Sequence, residues 1–299
     1  MSPVSRATTA GRIYLDLQQL ARTTRRPTDE LLRTYVLERF LWRVGQSTHR
    51  DRLILKGGLL MAAFGERRPT ADVDLLARDL SSDREIVSAM VASIANVESD
   101  DGVVFAVDDL AASSIRGDEN YPGVRVKMPA RIDRAKSILR VDVNVGDPVT
   151  PAPVLFEYPG LLGEPFPVAG YPFETVLAEK IATMIDRGAL TTRERDFADV
   201  YLLTGRLRIE ADTMTEALAA TLRHRKLLPR SVRSALTGLA EQRQGSWTSF
   251  VAGAGLSATV PSSFSAAINA VVAFAEPIVA GEVSGRVWEP TKRSWVEYS

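Results

Sequence analysis

Cysteine is absent from the sequence. That excludes disulfides and thiolate metal sites, and it fits a reducing cytoplasm, where the protein is expected to act. Histidine is scarce: His49 and His224 are the only two, too few for a multi-histidine zinc site. Neither sign of charge is in excess, since Lys+Arg and Asp+Glu both number 37. A chain that held nucleic acid by overall charge would be basic, so any such contact must come from a local patch. Long apolar runs are missing as well. MSPVSRATTAGR at the N-terminus contains none, and no secretory signal is expected there. The most apolar late stretch, 264–281, is broken by Ser265, Asn269, Glu276 and Pro277. It reads as a core helix, with no membrane span expected. What remains is 299 residues, 45% hydrophobic and 25% charged, a composition that builds a sizeable globular core.

The pattern changes character along the chain. Residues 15–44 read as helix broken near Pro27, with Thr28 before Asp29 and Glu30 as a helix start. Leu31, Leu32, Tyr35, Val36, Phe40 and Leu41 recur at helical spacing. Strands are expected at 52–55, 71–76, 103–107, 124–128 and 139–145 from alternation. A helix is expected over 83–94, with Ser82 and Glu85 spaced as a capping box. Residues 149–172 are rich in proline and glycine and mark the best boundary. Helices are then expected at 173–187, 195–204, 212–224, 229–242 and 262–279. The fold expected is α+β. A helical lead (1–50) packs on a mixed-sheet domain (51–165), and a helical C-terminal domain (166–299) follows.

Two carboxylates, Asp72 and Asp74, project from one face of the expected strand 71–76. An isolated D-x-D is usually a polar strand end facing water. In a half-buried site the two would repel, and a divalent cation relieves the repulsion; oxygen-only ligands suit Mg²⁺ or Mn²⁺. Asp142 stands on the polar face of another expected strand. Were the two strands neighbours, three carboxylates would converge. Such a set can hold two metals about 3.5–4 Å apart, the arrangement used in phosphoryl transfer. Upstream, Gly57 and Gly58 lie between a strand and a helix former. There, backbone N–H groups can approach a phosphate closely, although a plain strand-to-helix turn uses glycine equally well. Arg67 and Arg68 fit either a triphosphate clamp or a solvated helix end. Thr70 fits a nucleotide contact or a turn cap.

In FETVLAEKIATMIDR, Lys180 falls within the apolar stripe of Phe173, Val176, Leu177, Ile181 and Met184. An inward lysine needs a partner, either an ion pair or an anionic ligand. Asp196 and Asp199 lie on one side of the next expected helix, and either can position Lys180 or an arginine.

The ordered set K-G-G, R-x-T-x-D-x-D, RVDVNVGD, E-K-I and R-x-x-D-x-x-D resembles the AbiEii-type nucleotidyltransferases. These are toxins of AbiE-like and MenT-like toxin–antitoxin systems, within the wider DNA polymerase β-like superfamily. The resemblance runs from about Arg52 to Leu203, and W-E-P…W near the end resembles the family's tail, expected to pack on the helical domain. It implies that Asp72, Asp74 and Asp142 bind Mg²⁺ or Mn²⁺, with Asp142 also helping to deprotonate the attacking hydroxyl. It implies a nucleotide-binding set of Lys56, Gly57, Gly58, Arg68, Thr70 and Lys180, with Lys180 on the triphosphate. Asp199 takes a supporting or catalytic role. The superfamily usually has Gly-Ser where this chain has Gly57–Gly58, and a shorter gap to the first aspartate; both departures are shared with the AbiEii branch. The implied reaction moves NMP from NTP to RNA, at the tRNA 3′ end in MenT-like members, restrained by an antitoxin. The alternatives are a protein or small-molecule hydroxyl as acceptor, or a non-catalytic nucleotide- or antitoxin-binding module. Two basic segments are compatible with RNA: 116–140, with seven Lys/Arg against three acids, and 223–233, with no acids.

Overall fold

The structure is a computed structural model that describes residues 4–115 and 123–298. The chain divides into two compact units. The first is Met1–Gly146 with Val154–Gly170; the second is Asp147–Pro153 with Tyr171–Ser299.

The first unit opens with α1 (Thr9–Thr24), whose N-cap Thr8 accepts from the Gly11 N–H. Its second helix, α2 (Thr28–Gln46), starts directly after Pro27, with Asp29 and Glu30 in the first turn. The six apolar residues picked out by spacing in α2 are all buried. Next come β1 (Leu53–Lys56), the one-turn α3 (Gly57–Leu60), β2 (Val73–Ala77) and α4 (Arg84–Ala95). The cap of α4 differs from expectation. Asp83, not Ser82, accepts from the N–H groups of Glu85 and Ile86, because a carboxylate one residue nearer satisfies the first-turn donors directly.

Six strands follow: β3 (Val103–Phe105), β4 (Ala111–Ile115), β5 (Gly123–Ile132), β6 (Ala135–Val145), β7 (Val154–Tyr158) and β8 (Phe166–Gly170). The sheet order is β3-β5-β6-β2-β1-β8-β7, with β4 also on β5. Strands β2 and β6 are parallel, as are β1 and β8; the other pairs are antiparallel. The strands expected at 124–128 and 139–145 extend into one long hairpin, turned at Asp133 with φ 51. Val124, Val126, Met128, Leu139, Val141 and Val143 face the core. The segment 149–172, read as a boundary, carries β7 and β8. Its prolines and glycines bracket strands too short for alternation to reveal.

The second unit contains α5 (Phe173–Arg187), α6 (Glu194–Thr204), β9 (Ile209–Glu210), α7 (Ala211–His224), α8 (Val232–Ala235), α9 (Leu239–Gly253) and α10 (Phe264–Ala280). It ends with β10 (Arg286–Glu289) and β11 (Ser294–Glu297). The single helix expected at 229–242 is two, split at Gly238 with φ 79. The small sheet β11-β10-β9 was not expected. It pairs Trp288 with Trp295 across strands, and both rings pack on Phe274 of α10 at centroid distances of 5.0 and 5.3 Å. The Trp288 indole N–H donates to the Thr204 carbonyl at 2.7 Å. No helix among the described residues is long and apolar enough to cross a membrane.

Candidate functional site

The register of four adjacent strands builds the site. Asp74 of β2 lies opposite Asp142 of β6. On either side, Lys56 of β1 lies opposite Asp74, and Arg125 of β5 lies opposite Asp142. Directly paired residues stand on the same face of a sheet. The row therefore reads cation, acid, acid, cation, from Lys56 through Asp74 and Asp142 to Arg125. Asp72, two residues before Asp74, joins from the entry to β2. One carboxylate oxygen from each of Asp72, Asp74 and Asp142 lies within 4.8 Å of the others. Asp142 is buried and the other two are half-buried. All the donors are carboxylate oxygens, a set that suits Mg²⁺ or Mn²⁺ and not a soft-ligand metal.

Arg125 compensates much of this negative charge. Its Nε donates to Asp142 Oδ1 at 2.7 Å and its Nη2 to Asp142 Oδ2 at 2.5 Å, while Nη2 stands 4.0 Å from Asp72 Oδ2. The hydrogen bonds to Asp142, with the attraction of all three acids, raise the Arg125 pKa above its ordinary value. Sequence reading missed this residue. It belongs to the basic segment 116–140, but only the β5–β6 register shows which cation faces Asp142. Residues 116–122 of that segment lie outside the described residues.

Since both Asp142 oxygens are engaged by Arg125, a bound cation and this guanidinium compete for them. Arg125→Ala is therefore expected to gain more thermal stability from added Mg²⁺ than wild type does, by linkage. Melting curves with and without Mg²⁺ check this; an equal gain in both proteins would refute the competition.

Each glycine has its own steric reason. Gly57 has φ 69, and a Cβ there would lie 1.9 Å from Asp74 Oδ2. The missing side chain is the space that the Asp74 carboxylate occupies. A Cβ on Gly58 would lie 2.7 Å from Thr70 Oγ1 and 3.0 Å from Arg68 Nη1. The structure thus brings Gly57, Gly58, Arg68 and Thr70 together next to the carboxylates, with Lys56 in the same row. After the glycines, α3 makes only one turn and passes into a 3-10 turn at Met61–Phe64.

Arg67 needs correction, because it is neither a triphosphate clamp nor a solvated helix end. Its guanidinium is ion-paired with the fully buried Glu38 of α2, donates to the Pro159 carbonyl, and lies 6.0 Å from the Tyr158 ring centroid. Glu38 also accepts from the Leu161 N–H at 2.6 Å. Burial raises the Glu38 pKa, against the pull of Arg67. The pair fastens the segment after α3 to α2 and to the turn after β7.

In the helical unit, Lys180 Nζ donates to Asp196 Oδ1 at 2.8 Å and to Asp199 Oδ2 at 2.7 Å. Arg193 Nε donates to the other Asp196 oxygen at 2.7 Å. Both acids hold Lys180, where the sequence allowed one. In the basic segment 223–233, Arg225 donates to Thr183 Oγ1 at 2.8 Å, and Arg230 donates to the Ile185 carbonyl. Arg223, Lys226 and Arg233 are exposed.

Comparison with known proteins adds a family. The model described as "Nucleotidyl transferase AbiEii toxin, Type IV TA system" matches residues 39–270, well over half of the chain. Among solved structures, JHP933 from Helicobacter pylori is similar at 13% identity and TM-score 0.49, covering 85% of this chain and 93% of that one. A second H. pylori structure, described as an inferred nucleotidyltransferase, is similar at 15% identity and TM-score 0.49, covering 84% and 95%. No curated protein sequence matches the chain.

Proposed function

We propose, from the premise that this chain belongs to the AbiEii family of nucleotidyl transferase toxins of type IV toxin–antitoxin systems, that it transfers NMP from an NTP to an RNA 3′-hydroxyl, with the tRNA acceptor end as target. The observation that supports this reading is the meeting of Asp72, Asp74 and Asp142 within 4.8 Å, beside two glycines whose missing side chains let Asp74, Thr70 and Arg68 pack against the backbone. In the transfer, the RNA 3′-oxygen bonds to the α-phosphorus, the α–β bridging P–O bond breaks, and pyrophosphate leaves. Asp142 accepts the hydroxyl proton, which requires the Arg125 fork to open. Asp72, Asp74 and Asp142 would hold Mg²⁺ or Mn²⁺, which when bound would supply positive charge against the charge spread over the phosphoryl oxygens. Lys56, Gly57, Gly58, Arg68 and Thr70 bind and orient the donor nucleotide. The proposal extends to Lys180 as a triphosphate ligand and to Asp199 as its holder, on the family resemblance and the short ion pair between them.

A tRNA extended at its 3′ end cannot accept an amino acid, so translation stops in the cytoplasm until an antitoxin protein restrains the enzyme. The test is incubation of the purified protein with total tRNA, Mg²⁺ and each α-labelled NTP in turn. Label on tRNA from one NTP is the expected result, and it also gives the base preference. Label on a protein or small molecule would replace the acceptor, and absence of pyrophosphate release from every mixture would overturn the reading.

A further inference from the structure

We propose that a basic cleft between α1, α2 and the β5–β6 hairpin binds the phosphates of single-stranded RNA and leads its 3′ end to the carboxylates. The inference rests on the RNA-acceptor reading above and names where that acceptor lies. The cleft has a volume of about 760 Å³ and is lined by Tyr14, Gln18, Arg33, Arg134, Lys136 and Arg140, among others. Against these four cations it holds one carboxylate, Asp29. Among the described residues no ion pair forms to Arg33, Arg134, Lys136 or Arg140. Like charges gathered without counter-charge oppose folding, and a polyanionic ligand removes that cost. A chain with 37 basic and 37 acidic residues has no general basicity, so this concentration is local.

The position of the cleft selects the ligand. Lys136, Ile138, Arg140 and Asp142 alternate along β6 and share one strand face. Arg140 therefore stands about 7 Å from Asp142 along the strand, and Lys136 about 20 Å. The lining stretch, 135–140, lies beyond the pairing of β6 with β2, which starts at Val141. A strand of phosphates running over Lys136 and Arg140 ends at the carboxylates, where the 3′-hydroxyl has to be. The cleft also offers surfaces for bases. Ile138 is 50% exposed, and the Arg134 guanidinium lies 5.4 Å from the Tyr14 ring centroid, while Gln18 donates to the Tyr14 hydroxyl at 3.1 Å. Planar groups of this kind stack with unpaired bases. The volume is that of a small-molecule pocket, which takes a few unpaired nucleotides and excludes a duplex. An acidic polypeptide would find the cations but has no reason to be aligned with Asp142.

The test is binding of a 5′-fluorescent single-stranded RNA oligomer in Mg²⁺ without NTP, by anisotropy at several salt concentrations. Arg134→Ala/Lys136→Ala is compared with Arg134→Lys/Lys136→Arg, which keeps both charges, and with Arg223→Ala/Lys226→Ala in the helical unit. Melting curves confirm that each variant folds. The alanine pair is expected to bind at least about tenfold more weakly, with the salt slope reduced by about 1.4 for two lost phosphate contacts. The charge-keeping pair and the helical-unit pair should retain wild-type slopes. Unchanged affinity and slope in the alanine pair overturn the proposal. So does binding of polyglutamate in place of RNA, which would assign the cleft to an acidic protein segment. The two readings fail separately. A wild type that binds RNA through the cleft but transfers nothing refutes the transferase reading alone. An alanine pair that transfers with an unchanged KM for RNA refutes the cleft alone.

Discussion

Replacing Asp74 with alanine is expected to lower nucleotide transfer by at least about 1,000-fold, equivalent to about 4 kcal/mol of transition-state stabilisation. Asp74 lies centrally in the row, between Lys56 and Asp142 in register and two residues from Asp72. Its loss leaves two carboxylates for a site that three define. The same substitution removes one of three mutually repelling charges and also the acid opposite the buried Lys56, so the melting temperature should change little. The combination is diagnostic, because a general folding defect would lower both activity and stability. Single-turnover transfer of α-labelled NTP to tRNA, beside a melting curve, measures the two effects. Transfer within tenfold of wild type would remove Asp74 from the mechanism.

Lys180→Met should cost about 3–5 kcal/mol of folding free energy, the usual consequence of stripping one partner from a buried ion pair. Asp199 is fully buried and Asp196 nearly so. Without Lys180, Asp196 keeps Arg193 and Asp199 loses its 2.7 Å ion pair to the lysine. The acid limb should change as well. Burial raises the Asp196 pKa, but Lys180 and Arg193 together bring it down to about 2, below the ordinary 3.8. A lowered folded-state pKa gives stability that is present above the unfolded value and is lost as pH falls through the folded one. In wild type that loss is expected between about pH 4 and pH 2, and in Lys180→Met, where less of the lowering remains, the loss across this range should be smaller. Urea unfolding across this range, followed by tryptophan fluorescence, measures both. A variant as stable as wild type but inactive would show that Lys180 serves a ligand more than the fold.

The carboxylates were legible because a strand's alternation fixes which residues share a face. Asp72 with Asp74, and Asp142 on its own strand, needed only that rule. Arg125 was not legible, since several cations alternate along β5 and only the pairing register distinguishes the one facing Asp142. Arg67 was hidden for a related reason: its partner Glu38 lies on a helix 29 residues earlier, and local pattern carries no long-range pairing. The long helices α2 and α5 could be read from their apolar stripes. Strands β7 and β8 could not, because five-residue strands between prolines and glycines look like linker. The sheet β9–β10–β11 escaped because β9 has only two residues and its partner, β10, follows more than seventy residues later.

The Trp288–Trp295 closure sets an order of events during synthesis. The last strand of the carboxylate-bearing unit, β8, ends at Gly170. The helical unit receives the indole that bonds Thr204, and the strand that completes its small sheet, only near Glu297. At ribosomal speeds those points are separated by roughly ten seconds. The nascent chain therefore carries all the sheet strands and all three carboxylates of its first unit well before the second unit can close. A newly made molecule passes through an interval in which every residue of its acidic triad and of the strands that bear it has been synthesised while Thr204 still awaits its indole.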